Sequence, residues 1–112
     1  MTKQNKSSKE LIGASTGILV LTVLAREASY GYDIVKQINV EADGHFTWQE
    51  GTVYPVLHKL EKDELVRTQW QQSEKGRQRK YYYITETGRD SLEKRKQEWT
   101  SVDGLIHRLG EV

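Results

Sequence analysis

The side chains in this sequence that could perform chemistry are few and scattered. The histidines His45, His58 and His107 lack the spacing of metal ligands. Cysteine is absent, which excludes thiol catalysis, disulfides and zinc–thiolate sites. No nucleophile elbow, P-loop or dinucleotide-binding glycine pattern occurs. We therefore predict no catalytic residue, no metal and no cofactor, and we expect the protein not to be an enzyme.

Positive charge is concentrated in one short segment. The 112 residues contain 17 basic and 16 acidic side chains, a net charge of +1, which excludes a wholly basic nucleic-acid binder. Residues 65–84 nevertheless contain five basic side chains and one acidic side chain. Lys75, Arg77, Arg79 and Lys80 lie at or beside a predicted hairpin tip, residues 73–78, where they could contact phosphates. Charges that protect a strand edge from aggregation are the alternative explanation.

Three helices are predicted to precede this hairpin. Apolar residues favour a mostly buried helix over residues 10–27, although residues 18–24 could also form a buried strand. After a break at residues 29–31, a second helix ends near Gly44. The third begins with Thr47-Trp48-Gln49-Glu50, which has the pattern of a capping box, and runs to about residue 63.

The third helix is predicted to have one apolar face and one polar face. Val53, Leu57 and Leu60 share the apolar face. Pro55 lies inside the helix on the opposite face, where it removes a hydrogen bond. The polar face could enter a DNA major groove or could simply be hydrated. It carries Gly51, Thr52, Tyr54, Pro55, His58, Lys59 and Lys62.

A hairpin and a long helix complete the predicted fold. In the first strand Val66, Thr68 and Trp70 alternate with polar residues, and the second strand covers residues 79–84. Its three consecutive tyrosines could stack on single-stranded bases, but alternation favours burial of one or two beneath the hairpin. Thr85 is predicted to cap a helix over residues 86–109.

The last helix needs a partner surface for its apolar residues. Their heptad spacing fits either folding back on the same domain or pairing with a second copy of the chain. The short core of residues 11–84 and the long, charged helix favour pairing. The predicted dimer interface consists of Leu92, Trp99, Val102, Ile106 and Leu109. A two-fold dimer would place the two third helices about 34 Å apart and would recognise a pseudo-palindromic site.

The predicted fold class is mainly α with a small β-hairpin wing, a winged helix-turn-helix followed by a long dimerisation helix. Residues 1–9 are expected to be a flexible N-terminus, 10–84 the DNA-binding domain and 85–112 the dimerisation helix. The longest apolar stretch, residues 18–25, is far shorter than the roughly 20 residues that cross a bilayer. No apolar core of a signal peptide is present, so we expect a cytoplasmic protein that does not enter a membrane.

Three ordered motifs resemble the PadR family of transcriptional regulators. They are Gly31-Tyr32-Asp33-Ile34, the stretch Gly51 to Asp63, and the stretch Arg79 to Gly88. The single C-terminal helix resembles the short PadR subclass. The resemblance implies a homodimeric winged-helix repressor, with the third helix in the major groove of double-stranded DNA and the wing on the flanking DNA. The predicted DNA contacts are Tyr32, Lys36, Thr52, Tyr54, Pro55, His58, Lys59, Lys75, Arg77, Arg79 and Lys80.

The stretch Glu98 to Asp103 is similar to that of a multidrug-binding repressor of this subclass. The similarity implies that Trp99 and its two-fold mate sandwich a flat aromatic ligand and that Asp103 favours cations. Leu11, Ala14 and Ile18 would complete the ligand-binding walls. The alternative is that Trp99 only fills the dimer interface.

Two departures from the family pattern bear on these expectations. Glu64 replaces a usual glycine and is expected to alter the end of the third helix. Lys96 replaces an aromatic residue of the drug-binding relative. We predict a ligand-responsive repressor; the alternative is a ligand-sequestering or protein-interaction module on the same scaffold.

Overall fold

The computed structural model describes the backbone of residues 6–111 and the side chains of residues 9–111. The predicted fold class is confirmed: four helices surround the base of a three-stranded antiparallel sheet in the order β1–β3–β2. The segment at residues 29–31, predicted as a break, contributes the short strand β1, which pairs with β3. The elements are α1 (Lys6–Arg26), β1 (Ser29–Tyr30), α2 (Gly31–Ala42), α3 (Glu50–Lys62), β2 (Val66–Gln72), β3 (Gln78–Ile84) and α4 (Glu86–Gly110).

Helix α1 is longer than the sequence predicted. It begins at Lys6, so residues 6–9, which the sequence analysis assigned to the N-terminal segment 1–9, are helical. Residues 1–5 of the segment lie outside the described residues. Extending an existing helix adds a hydrogen bond for each residue that is ordered, so extra turns form easily on a buried helix. The alternative of a strand at residues 18–24 is excluded.

The core lies where α1, α2, α3 and the base of the wing meet. Val20 and Leu21 of α1, Ile34 of α2, and Val53 and Leu57 of α3 are completely buried. The hydrophobic effect of removing these side chains from water is the main force that assembles the three helices. The apolar face predicted for α3 is therefore confirmed, and its opposite face is left exposed.

The capping box predicted at residues 47–50 is wrong, because Trp48 turns into the core before α3 begins. Its indole Nε1 donates to Thr16 Oγ1 (3.2 Å). Its backbone N–H donates to Asn39 Oδ1 (2.7 Å), and Asn39 Nδ2 donates to its carbonyl oxygen (2.9 Å). Helix α3 starts at Glu50, after an extended Gln49. Burial of a hydrogen-bonded indole outweighs one local cap, which is worth about 1 kcal/mol.

The end of α3 keeps a left-handed turn despite the absence of glycine. Glu64 has φ +63°. Its N–H donates to the Glu61 carbonyl (2.9 Å), and the Leu65 N–H donates to the Leu60 carbonyl (2.9 Å), the two bonds of a Schellman motif. Leu60 and Leu65 are both buried, which completes the motif. The expectation that Glu64 would alter this turn is wrong, and β2 follows α3 directly.

Helix α4 is anchored at its first turns only. The predicted cap is confirmed, since Thr85 Oγ1 accepts from the Gly88 N–H (2.9 Å). Gly88 packs so closely that a Cβ there would lie 2.1 Å from the Leu65 carbonyl oxygen. Arg89 Nη1 donates to the Ala25 carbonyl at the end of α1 (3.4 Å). No residue from 93 to 111, the last described, is buried.

Candidate nucleic-acid interface

The outward face of α3 presents the side chains that the sequence predicted for DNA contact. Tyr54, Pro55, His58 and Lys59 are exposed, and Thr52 is partly exposed. Lys59 pairs with Asp63 (3.0 Å), but both side chains are highly exposed, so this pair costs little to break. The face therefore offers a hydroxyl, a phenol, an imidazole and an ammonium group within two turns of one helix.

The N-terminus of α2 fixes the position of Tyr54. A Cβ on Gly31 would lie 2.1 Å from Cε1 of the Tyr54 ring, so only glycine allows this ring to lie against α2. Burial raises the pKa of Tyr54, and the neighbouring Glu50 carboxylate raises it further. Like an ordinary tyrosine, the phenol is neutral at physiological pH and can donate a hydrogen bond. Tyr32 and Lys36 lie exposed along α2.

The tip of the wing carries free cations. Lys75 and Arg77 are exposed in a turn closed by the bond from the Ser73 N–H to the Arg77 carbonyl (2.7 Å). Gly76 has φ +83° in this turn, a conformation that favours glycine. Arg79 lies with its guanidinium carbon 4.2 Å from the centre of the Tyr30 ring, a cation–π contact. This contact holds the Arg79 charge against the base of the wing.

Lys80 differs from the other wing cations. Its ammonium lies 3.7 Å from Glu61 Oε1 and 5.6 Å from the centre of the Tyr82 ring. Glu61 Oε2 also accepts from Thr68 Oγ1 (3.1 Å), so this carboxylate of α3 contacts both long strands of the wing. The sequence analysis counted Lys80 among the cations that could contact phosphates; in the structure the opposite charge of Glu61 engages it.

A cleft of about 360 Å³ separates α3 from the wing. Its lining joins α2, α3, all three strands and the turn between β2 and β3. It includes Tyr30, Tyr32, Tyr54, His58, Trp70, Arg77, Arg79, Lys80 and Tyr82. Tyr82 is buried, which confirms that one tyrosine of the triple run packs beneath the wing. Sequence reasoning missed Tyr30 and Trp70. Alternation put Trp70 on the same face as Val66, but it lies farther from the core and is 63% exposed.

The predicted dimer surface needs one correction. Leu92 is only 4% exposed and belongs to the core of its own chain, because it lies in the anchored part of α4. We therefore remove it from the predicted interface. Val102, Ile106 and Leu109 are exposed as predicted, and Leu105, which the sequence analysis missed, is exposed beside them.

The predicted ligand-binding residues lie on two antiparallel helices. A Cβ on Gly17 would be 2.5 Å from Arg95 Nη1, so Arg95 crosses α1 at this point. Together with the Arg89–Ala25 contact, this shows that α4 runs back along α1. Trp99 is 40% exposed, Leu11 and Ala14 are exposed, and Ile18 is partly buried. Asp103 is exposed and lies 3.7 Å from His107 Nδ1.

Two kinds of site are missing from the described part of the chain. Among residues 6–111, no group of three or more histidine and carboxylate side chains could hold a metal ion. In the same range, no helix has both the length and the apolar character needed to cross a membrane.

Comparison with known proteins gives consistent matches. Residues 20–94 match the model of the Transcriptional regulator PadR-like family. A PadR family transcription regulator from Clostridium difficile is 33% identical, with 85% of this chain and 97% of that chain covered and a TM-score of 0.75. A PadR-like transcriptional regulator from Bacillus cereus is 30% identical, with coverage of 89% and 95% and a TM-score of 0.78. The transcriptional regulator YqjI of Escherichia coli is 28% identical over 80% of this chain, which spans only 41% of that protein.

Proposed function

Since the chain belongs to the PadR-like family of transcriptional regulators, which bind DNA, we propose that it is a cytoplasmic, sequence-specific repressor that acts as a homodimer. The observation that carries the proposal is the common exposure, on one side of the fold, of the polar face of α3 and the cations of the wing. An α-helix fits the major groove, and cations beside it neutralise the flanking phosphates.

Each element has a separate task in this complex. The α3 face reads base edges, with Tyr54 held in place by Gly31. The exposed wing cations bind phosphates and contribute affinity without sequence information. Lys80 stays with Glu61 in this assignment. The proposed contacts are Tyr32, Lys36, Thr52, Tyr54, Pro55, His58, Lys59, Lys75, Arg77 and Arg79.

The free half of α4 supports a dimer. Trp99, Val102, Leu105, Ile106 and Leu109 are between 40% and 66% exposed within a single chain. A contiguous exposed apolar stripe is characteristic of an interaction surface, and a second copy of the same stripe buries it with two-fold symmetry. Two copies of α3 then face the same side of a duplex, about one helical turn or 34 Å apart.

The same surface gives the repressor a place for an effector. Trp99 lies exposed on α4, which runs antiparallel to α1, the helix that carries Leu11 and Ala14. In the dimer, Trp99 and its mate sandwich a flat aromatic compound, and Asp103 favours a positive charge. The ligand shifts the spacing of the two α3 helices and thereby changes the affinity for DNA.

Salt dependence tests the DNA-binding part of the proposal. Affinity for a duplex, followed by the anisotropy of a fluorescent label, is expected to fall steeply as the salt concentration rises. In the double variant Arg77→Ala/Arg79→Ala the slope of log affinity against log salt is expected to be shallower by about 1.8 for each bound chain. The variant Lys9→Ala/Lys94→Ala, which loses the same charge from exposed sites on α1 and α4, is the control.

Equal slopes for the two double variants would contradict the placement of the wing on DNA. Binding that ignores salt altogether would instead favour a protein-interaction or ligand-sequestering module.

Tryptophan fluorescence tests the effector site. A planar cationic dye is expected to quench emission, and Trp99→Ala is expected to abolish that change. Trp48 is buried and Trp70 lies in the wing, so quenching that persists in the variant would come from another site and would contradict the assignment.

A further inference from the structure

Arg95 is a partly buried cation at the contact between α4 and α1. Its Nε donates to Ser91 Oγ (3.1 Å), and a Cβ on Gly17 would lie 2.5 Å from its Nη1, so the guanidinium lies against α1. It forms no ion pair with any carboxylate among residues 9–111, the part of the chain whose side chains are described. A charge that loses part of its hydration without gaining an opposite charge is costly, so this guanidinium favours an anion from outside the chain.

Asp103, two turns further along α4, is an exposed carboxylate. Within the same described range, no lysine or arginine forms an ion pair with it. His107 Nδ1 lies 3.7 Å from the carboxylate but only 2.8 Å from the backbone carbonyl oxygen of Asp103, to which it donates. The carboxylate therefore keeps room for a cation.

Trp99 lies between these two charges on the same face of α4. The three residues follow one another at intervals of four, which places Arg95 and Asp103 within about 40° of Trp99 around the helix. Long side chains on a helix lean toward its N-terminus, so the charges stay separated by about 12 Å along the axis. This distance exceeds the Debye length of about 8 Å at physiological ionic strength, so the two charges do not neutralise each other. The face therefore presents a positive charge, a 40%-exposed indole and a negative charge in that order.

We propose that the effector is a flat aromatic zwitterion, with its anionic group at the Arg95 guanidinium, its ring on the Trp99 indole and its cationic group at the Asp103 carboxylate. The inference rests on the effector site proposed above and specifies the class of ligand. Because Ser91 and α1 already hold the guanidinium, little side-chain freedom is lost when it binds a carboxylate. A purely cationic aromatic compound still binds through Trp99 and Asp103, but more weakly, because it leaves Arg95 without an anion.

Three related flat compounds test which charges the site recognises. Norfloxacin has a carboxylate at one end of its ring system and a piperazinium at the other, its methyl ester keeps only the cation, and nalidixate has only the anion. Their affinities for the intact protein are measured by isothermal titration calorimetry without DNA or divalent cations. The wild type is expected to bind norfloxacin about tenfold more tightly than either of the other two, because each of them lacks one charge-assisted contact.

Two variants assign the charges of the ligand to the two ends of the site. Arg95→Gln keeps an amide that can donate to Ser91; it is expected to weaken norfloxacin binding about tenfold and to leave the affinity for the methyl ester unchanged. Asp103→Asn is expected to weaken the binding of norfloxacin and of the ester and to spare nalidixate. The control is Lys94→Gln, which removes the same charge from an exposed position about 140° around α4 from Trp99 and should change none of the three affinities.

The outcomes distinguish this inference from the effector site on which it rests. Methyl ester or nalidixate bound as tightly as norfloxacin, or equal norfloxacin affinity in the wild type and Arg95→Gln, would overturn the inference. If Arg95 instead pairs with a carboxylate of a second copy, Arg95→Gln would dimerise more weakly in sedimentation with an unchanged ratio of norfloxacin to ester affinity, which would also overturn it.

The planar cationic dye separates the two levels of the proposal. Quenching of Trp99 by the dye without any binding of norfloxacin would overturn the zwitterion and leave the effector site standing. Absence of binding by the dye and by all three compounds would refute the effector site itself.

Discussion

Removal of the Glu61 charge should increase the affinity of the protein for DNA of any sequence. Glu61 lies 3.7 Å from Lys80 and accepts a hydrogen bond from Thr68. Glu61→Gln keeps an oxygen that can accept from Thr68 but releases Lys80, whose ammonium becomes available to a phosphate. The two paired side chains are 32% and 37% exposed, so screening by solvent limits the loss of folding stability to about 1 kcal/mol or less.

The size of the effect on binding follows from one added phosphate contact per chain. Each contact steepens the slope of log affinity against log salt by about 0.9. Between about 50 mM and about 200 mM salt, the variant should therefore lose about 3.5-fold more affinity per bound chain than the wild type. Because generic affinity rises most at low salt, discrimination between operator and random DNA should fall there.

The assay is the anisotropy of a labelled mixed-sequence duplex, titrated at several salt concentrations. Glu93→Gln is the matched control, because Glu93 also lies 3.7 Å from a lysine, Lys96, but on α4, away from the wing. It makes the same change in net charge and should leave the slope unaltered. A slope for Glu61→Gln equal to that of Glu93→Gln would refute the idea that Glu61 withholds Lys80 from DNA.

Three further predictions concern the scaffold. Glu64→Gly should raise the free energy of unfolding by about 1 kcal/mol, since glycine adopts φ +63° without strain; thermal melting should show this gain and no gain for Glu64→Ala. Gly88→Ala should lower the free energy of unfolding by about 2 kcal/mol, because its Cβ would meet the Leu65 carbonyl oxygen. Gly13→Ala, in open space on α1, should raise the free energy of unfolding by about 1 kcal/mol. A urea titration in which both variants change stability in the same direction would contradict this packing. Burial, assisted by the Glu61 carboxylate, raises the pKa of Tyr82. The unfolded chain therefore loses this proton first, and the free energy of unfolding should fall as the pH rises above about 10. The decline should be smaller in Tyr82→Phe, and an identical decline would show that Tyr82 does not cause it.

The sequence predicted features that depend on periodicity and local chemistry. The buried face of α3, the cap at Thr85 and the hairpin follow from the spacing of apolar residues and from one hydroxyl group. Trp48 illustrates the limit, because its hydrogen bond to Thr16 joins residues 32 positions apart and no local pattern encodes it.

On the candidate DNA surface, too, local features were predictable from the sequence and long-range contacts were not. Exposure of His58 and Arg77 follows from helix and hairpin geometry. The pairing of Lys80 with Glu61 and the position of Trp70 at the cleft depend on how the wing packs against α3. Leu92 was misassigned for the same reason, since periodicity cannot show where a long helix leaves its own core.

Dimeric binding through α3 and the wing can be tested by a hydroxyl-radical footprint on a duplex selected from a random pool. Two copies that place α3 in successive major grooves, each with a wing beside it, predict two equivalent protected segments whose centres lie about one helical turn apart. Protection should extend beyond each half-site, and this flanking part should be lost in Arg77→Ala/Arg79→Ala. A single protected segment, or selected duplexes without two-fold sequence symmetry, would show that the protein does not bind DNA as a two-fold dimer.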